Sequence, residues 1–261
     1  MNKKMYCPEC GKQIKYKRNA IGIDIPVPCE CIVDKANRDR TAWINAGYED
    51  IRLKIFSENG VGKKFSGITL DNITAVFGQE KAYNKALEFA ARYKTDKNSL
   101  GFGLCGGVGS GKTYITAALV NQICNYTLDS LTDEEKEKAH FRRFTVTAPA
   151  LLISSVELFE RLKYNAAEKS DGGYMRRIKR AKVLVIDDLG AARVTEWASE
   201  RLFEIIDYRY VEELPTIYTT NVLPKELKSI IGERTIDRLT EMCEFVSVTA
   251  QSQRKPSFIK N

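Results

Sequence analysis

The sequence predicts an α/β protein: a five-stranded parallel sheet flanked by helices, built around a phosphate-binding loop, with a small metal-stabilised module ahead of it. Three observations carry this prediction. Gly106-Gly107-Val108-Gly109-Ser110-Gly111-Lys112-Thr113 fits G-x-x-x-x-G-K-[ST] and lies between an apolar run and a helical pattern. Short apolar runs alternate with helical stretches along the rest of the chain, the pattern of a parallel sheet covered on both faces. Four of the seven cysteines crowd into the first 31 residues in two close pairs.

The elements follow in order. Cys7-Pro8-Glu9-Cys10-Gly11 and Pro28-Cys29-Glu30-Cys31 form C-x2-C and C-x-C pairs. Four thiolates in two pairs can close a tetrahedral Zn²⁺ site at Cys7, Cys10, Cys29 and Cys31, and the metal would supply stability that so short a segment cannot draw from a core. A redox dithiol or an iron–sulfur cluster also uses such thiols; two pairs point to zinc. Residues 1–33 are therefore expected as a zinc module and 34–67 as a linker. The linker is helical at first (Ala36, Trp43, Ile44, Ile51, Ile55), then Gly-rich. A second domain is expected over 68–255, followed by a short tail, 256–261. Residues 79–93 have helical spacing, with Ala82, Ala86, Leu87 and Ala90 on one face. Behind the phosphate loop, Ile115, Leu119, Ile123 and Tyr126 share a helical face. Residues 129–140 read as a polar insertion that holds the only histidine, His140, as a solvated side chain. Strands are expected at Leu100–Cys105, Phe144–Ala148, Val183–Asp187, Thr216–Thr220 and Phe245–Thr249. Ala198, Leu202, Ile205 and Ile206 mark a helix between two of them.

Composition bounds the function. The chain has 261 residues, 43% hydrophobic and 29% charged, ordinary for a soluble globular protein. No apolar run approaches the roughly 20 residues of a membrane span. Met1–Cys7 has lysines but no apolar stretch behind them, so a cytoplasmic location without a membrane partner is expected. The net charge of +7 permits a nucleic-acid partner without demanding one.

The chemistry sits at strand ends. Glycines in the loop let backbone N–H groups face phosphates, Lys112 offers a point charge to the β/γ-phosphates, and Thr113 offers a hydroxyl to Mg²⁺. Val183–Ile186 ends in Asp187-Asp188. Asp187 is placed to hold Mg²⁺, and Asp188 to orient and deprotonate an attacking water. Asn221 can touch the γ-phosphate and that water, or close an Asx turn. Arg234 and Arg238 stand at i and i+4 on a helix, either as a salt-bridged surface or as arginines offered to a neighbouring subunit's nucleotide. Met175–Lys182 holds five cations in seven positions. Arg176, Arg177, Lys179 and Arg180 could contact DNA phosphates, with Tyr174 or Phe159 stacking on bases, or the stretch is a solvated helix end.

Together these motifs resemble the bacterial and phage replicative-helicase loaders of the DnaC/DnaI type and their IstB-like relatives among AAA+ ATPases. The resemblance spans about residues 65–255. It rests on Lys64-Phe65 with Thr69–Asn72, Gly106–Thr113, Asp187–Gly190, Thr195–Trp197, Ile205–Tyr210, Leu214–Asn221 and Gly232–Leu239. The resemblance implies an AAA+ P-loop NTPase without a C-terminal lid domain. It implies ATP and Mg²⁺ as ligands, and ATP hydrolysis as a switch. It further implies self-association through the ATPase domains, a hexameric replicative helicase docked on the N-terminal module, and single-stranded DNA as partner. The alternative is an IstB-like transposition ATPase that binds DNA and recruits a transposase. The family often ends in G-x-S-x-R; here Ala250-Gln251-Ser252-Gln253-Arg254 lacks that glycine.

Overall fold

In the computed structural model the described residues are 5–95, 100–142, 146–167, 173–191 and 194–254. The chain divides into two compact units: Met1–Arg52 with Leu131–Thr145, and Leu53–Ser130 with Val146–Asn261. Among the described residues no helix is long and apolar enough to cross a membrane.

The first unit opens on the cysteine knuckle and a two-stranded antiparallel hairpin, β1 (Tyr16–Arg18) and β2 (Asp24–Pro26). Helix α1 (Glu30–Glu58) starts inside the second cysteine pair, so Cys31 lies in its first turn. An ion pair of 2.7 Å from Lys35 to Glu9 ties that turn to the knuckle. The stretch read as a polar insertion, residues 129–140, is helical over its last eight residues, α4 (Asp133–His140). Its start is set by a capping box in which Thr132 and Glu135 satisfy each other's backbone N–H groups. It packs on α1: Trp43 meets Phe141 edge-on at 5.4 Å, and Arg40 pairs with Glu137 at 3.2 Å. The two backbones touch at Gly47, where a side-chain carbon would lie 1.7 Å from the Lys136 carbonyl oxygen. His140 is half-buried, its ring 5.1 Å from Phe141.

In the second unit, α2 (Glu80–Thr95) precedes β3 (Gly101–Gly106), the loop and α3 (Lys112–Asp129). After the insertion come β4 (Ala150–Ser154), α5 (Ser155–Ala167), α6 (Gly173–Arg180) and β5 (Val183–Asp187). The chain then runs through α7 (Glu196–Val211), β6 (Thr216–Thr220), α8 (Pro224–Ile231), α9 (Glu233–Met242) and β7 (Cys243–Val248). All five strands are parallel, in the order β4-β5-β6-β3-β7. Side chains alternate across each strand, so Leu184 and Ile186 join a core with Leu158, Leu202, Ile205 and Leu239 from the helices. In α2, Ala82, Ala86, Phe89, Ala90 and Tyr93 are the buried residues, while Leu87 is 37% exposed.

One expected strand is misplaced. Residues 143–145 lie outside the described residues, and Val146–Ala148 form no strand. The strand is Ala150–Ser154, just after Pro149. The β-branched Thr145-Val146-Thr147 imitates a strand by propensity, but Ala-Leu-Leu-Ile is the stretch that pairs with β5 and is largely buried. Strand β7 begins two residues before its expected start, at Cys243.

Arg209, near the end of α7, is fully buried, and among the described residues no carboxylate pairs with it. Its guanidinium donates to Thr216 Oγ1 (2.9 Å) and to the carbonyls of Ile178, Lys179, Ala181 and Pro215. It thus caps α6 and fixes it against the start of β6. Burial pulls its pKa down to about 9, still charged at neutral pH. Arg209→Met strands five acceptors in the core and is expected to cost on the order of 4 kcal/mol in a urea melt. A loss below about 1 kcal/mol would show that α6 is held by other contacts.

Candidate active site

The sheet order places β6 between the loop strand β3 and the carboxylate strand β5, so three strand ends converge on one point. Ligands bind at such carboxyl edges in open α/β sheets. Gly111, at φ +95°, turns the loop into α3; a side chain there would also meet Gln79 at 2.2 Å. Only glycine satisfies both demands. The helix then presents its N-terminal N–H groups to the loop.

Lys112 is buried, and Nζ donates to the loop carbonyls of Gly106 (2.7 Å) and Gly107 (2.9 Å) and to Asn221 Oδ1 (2.6 Å). Asn221 in turn donates from Nδ2 to Asp188 Oδ1 at 2.5 Å. Thr113 Oγ1 donates to both oxygens of Asp187, at 3.0 and 2.9 Å. Burial pulls the Lys112 ammonium below the usual lysine range, against the opposing pull of Asp188 and Asp187. Burial likewise raises Asp187 above the ordinary carboxylate range, opposed by hydrogen bonds from Thr219 and Thr113. Asp188 is held in the left-handed region at φ +59°.

Two supports escape a reading of the sequence. Thr219 donates from Oγ1 to Asp187 Oδ1 (2.7 Å) and accepts the Asp188 N–H (2.8 Å), so one hydroxyl on β6 holds the Asp187 carboxylate and the Asp188 backbone. Gln79 is buried and donates from Nε2 to the Ser110 carbonyl at 2.8 Å. A Thr-Thr-Asn strand end was the available signal for the first; nothing local marks the second. The Gln253 N–H also reaches the Gly109 carbonyl at 2.9 Å, which brings the segment around Arg254 onto the loop without the family's glycine.

The donor set fits a magnesium nucleotide. Thr113 and Asp187 offer a hydroxyl and a carboxylate oxygen within hydrogen-bond distance of each other, the hard ligands Mg²⁺ takes, and a divalent cation there would reverse the upward shift of Asp187. The cysteines also fit a metal. All four Sγ atoms lie within 4.8 Å of one another, with Cys7–Cys31 at 3.4 Å and Cys10–Cys29 at 3.5 Å. A tetrahedral zinc with Zn–S of about 2.3 Å needs S···S of about 3.8 Å. Gly11 N–H bonds to the Cys7 carbonyl, and the Cys10 and Glu9 amides aimed at Cys7 bring its thiol down to about 7. The sulfurs of Cys10 and Cys7 push Cys31 above the usual thiol range.

The remaining candidates are dispersed. Arg234 is exposed, its guanidinium carbon 3.9 Å from the centre of the Phe203 ring. Arg238 is half-buried, paired with Asp207 at 3.1 Å and stacked over Tyr210. In α6, Arg177 donates to the Glu58 carbonyl (2.9 Å) and Lys179 pairs with Glu204 (2.7 Å), so both serve the fold. Arg176, Arg180 and Lys182 line a cleft with Thr147 and Ala148. Phe159 and Tyr174, read as side chains that could stack on bases, are partly buried against the core.

Comparison with known proteins agrees with this geometry. The profile of the family described as IstB-like ATP binding protein matches residues 86–260. The phage-like element PBSX protein XkdC of Bacillus subtilis is 24% identical over 257 residues, 91% of this chain and 79% of that protein. The replicative helicase loader DnaI of Bacillus subtilis is 21% identical over 187 residues, 67% of this chain and 54% of the loader. The crystal structure of the DnaC helicase loader superposes with a TM-score of 0.58 at 24% identity, covering 72% of this chain and 100% of that one. This last likeness bears on the fold.

Proposed function

The chain belongs to the IstB-like ATP-binding AAA+ proteins, related to the DnaC/DnaI helicase loaders, and on that premise we propose that it is an ATP-switched loader that delivers a hexameric replicative helicase to single-stranded DNA. The observation that carries the ATPase part is the hydrogen-bonded line Lys112–Asn221–Asp188, with Thr113–Asp187 beside it. The partner is inferred from the helicase loaders DnaI and DnaC among its relatives. The four-cysteine unit is the part that would dock the helicase, and Arg176 and Arg180 of the α6 cleft are the cations that would meet DNA.

The chain's own residues divide the work. Lys112 exchanges the loop carbonyls for β- and γ-phosphate oxygens. Thr113 and Asp187 would hold Mg²⁺, whose charge would offset the negative charge that develops on the phosphates. Asp188 orients a water and takes its proton as the water oxygen bonds to the γ-phosphorus. The bond from that phosphorus to the bridging oxygen breaks, and ADP leaves with the electron pair. Asn221, bonded to both Lys112 and Asp188, keeps the water aligned with the phosphate. Arg234, exposed and without a carboxylate partner among the described residues, is the arginine offered to a neighbour's nucleotide. Arg238, fixed on Asp207, positions the helix that carries it.

Turnover should therefore rise with protein concentration. Arg234→Ala should bind ATP as the wild type does and lose turnover in the assembled state by roughly 10³-fold. Wild-type turnover in that variant would exclude a trans arginine at this position. The second reading, a transposition accessory ATPase, is favoured by the family profile itself. Binding of a transposase in place of a helicase would decide for it.

A further inference from the structure

Phe77 is 92% exposed, more than any other large apolar side chain among the described residues. An exposed phenylalanine alone means little; its place gives it meaning. Two residues on, buried Gln79 donates to the Ser110 carbonyl at 2.8 Å and accepts the Val76 N–H at 3.1 Å. Between them, the Gly78 carbonyl accepts the Thr249 N–H at 3.0 Å, and the same C-terminal segment reaches Gly109 through Gln253. Residues 76–79 are thus clamped to one lip of the phosphate loop.

The sheet order says which lip. On one side of β3 stands β6, with Asn221 and then the carboxylates of β5; Lys112 points that way, 2.6 Å from Asn221. The γ-phosphate end of a nucleotide belongs there. Its base must leave over the other side, toward β7, where Val76–Gln79 and Thr249–Gln253 lie. We propose that Phe77 is a base-binding residue: its ring packs on the purine of the bound nucleotide. This rests on the nucleotide site assigned above. A ring face reads the π-surface common to all bases and no hydrogen-bonding edge, so it adds affinity for ATP and GTP alike.

Calorimetric titration of the full chain with ATP, GTP and inorganic triphosphate tests this. Phe77→Ala should weaken ATP and GTP about 10-fold, within the roughly 5- to 100-fold range of base–aromatic stacking, and leave triphosphate within about twofold. Phe77→Trp should keep wild-type affinity, with indole fluorescence that changes on adding ATP and not on adding triphosphate. Unchanged ATP affinity in Phe77→Ala, or an equal loss for triphosphate, would overturn the proposal. Lys112→Ala in parallel separates the two claims: if it loses ATP while Phe77→Ala does not, the nucleotide site stands and the base contact falls.

Discussion

Lys112→Ala is expected to abolish nucleotide binding. Lys112 is the buried cation of the site, held between loop carbonyls and Asn221 and facing two carboxylates. Phosphates arriving there bring negative charge to a place that already holds Asp187 and Asp188. Without the ammonium, only the backbone N–H groups of the loop and the start of α3 offset that repulsion. Removing one partner of a buried, hydrogen-bonded charge pair costs about 2–5 kcal/mol, so affinity should fall roughly 30- to 5,000-fold. Neighbouring supports remain: Gln79 still holds Ser110, and Thr113 still holds Asp187. The fold should survive, as a thermal melt would check. Direct titration with ATP measures the loss, and tight binding by the variant would show that the phosphates lie elsewhere.

Asp188→Asn should do the opposite, binding ATP and holding it. The Asp188 backbone sits at φ +59°, a region that asparagine tolerates better than most residues. Its N–H bond to Thr219 Oγ1 does not depend on the side chain, and an asparagine Oδ1 can still accept from Asn221. Geometry is therefore kept while the proton acceptor is lost. General-base catalysis contributes about 10²–10⁴ in rate, so turnover should drop at least about 100-fold with ATP affinity changed by less than about threefold. Single-turnover hydrolysis measures it. Turnover within about fivefold of wild type would remove Asp188 as the base.

Much of the site was legible because its chemistry is written in contiguous residues at strand ends. Gly106–Thr113 and Asp187-Asp188 announce themselves by composition, and the cysteine spacing was enough to expect a four-sulfur cluster that the structure brings together. What escaped depends on tertiary contact. Gln79 and Gln253 reach the loop from about 30 and 140 residues away, and no local pattern could say so. Thr219 was read only as part of a strand, yet its hydroxyl holds the Asp187 carboxylate and the Asp188 N–H. The strand at Ala150–Ser154 was missed because β-branched residues just upstream carry the stronger propensity, while burial at the sheet edge decides the outcome. Helix α4 hid behind its charges; it is held by a cap, one aromatic pair and the close approach at Gly47, not by an apolar stripe. In α6, four cations looked alike, and only their partners separate Arg177 and Lys179, which serve the fold, from Arg180, which lines the open cleft.

The most direct test of the proposed role is recovery of the replicative helicase from the encoding genome on closed circular single-stranded DNA after a salt wash. Expected is a several-fold rise in recovered helicase when the chain and ATP are both present, and no rise with Lys112→Ala. Equal recovery with and without the chain, or a rise that Lys112→Ala also gives, would contradict an ATP-switched loader.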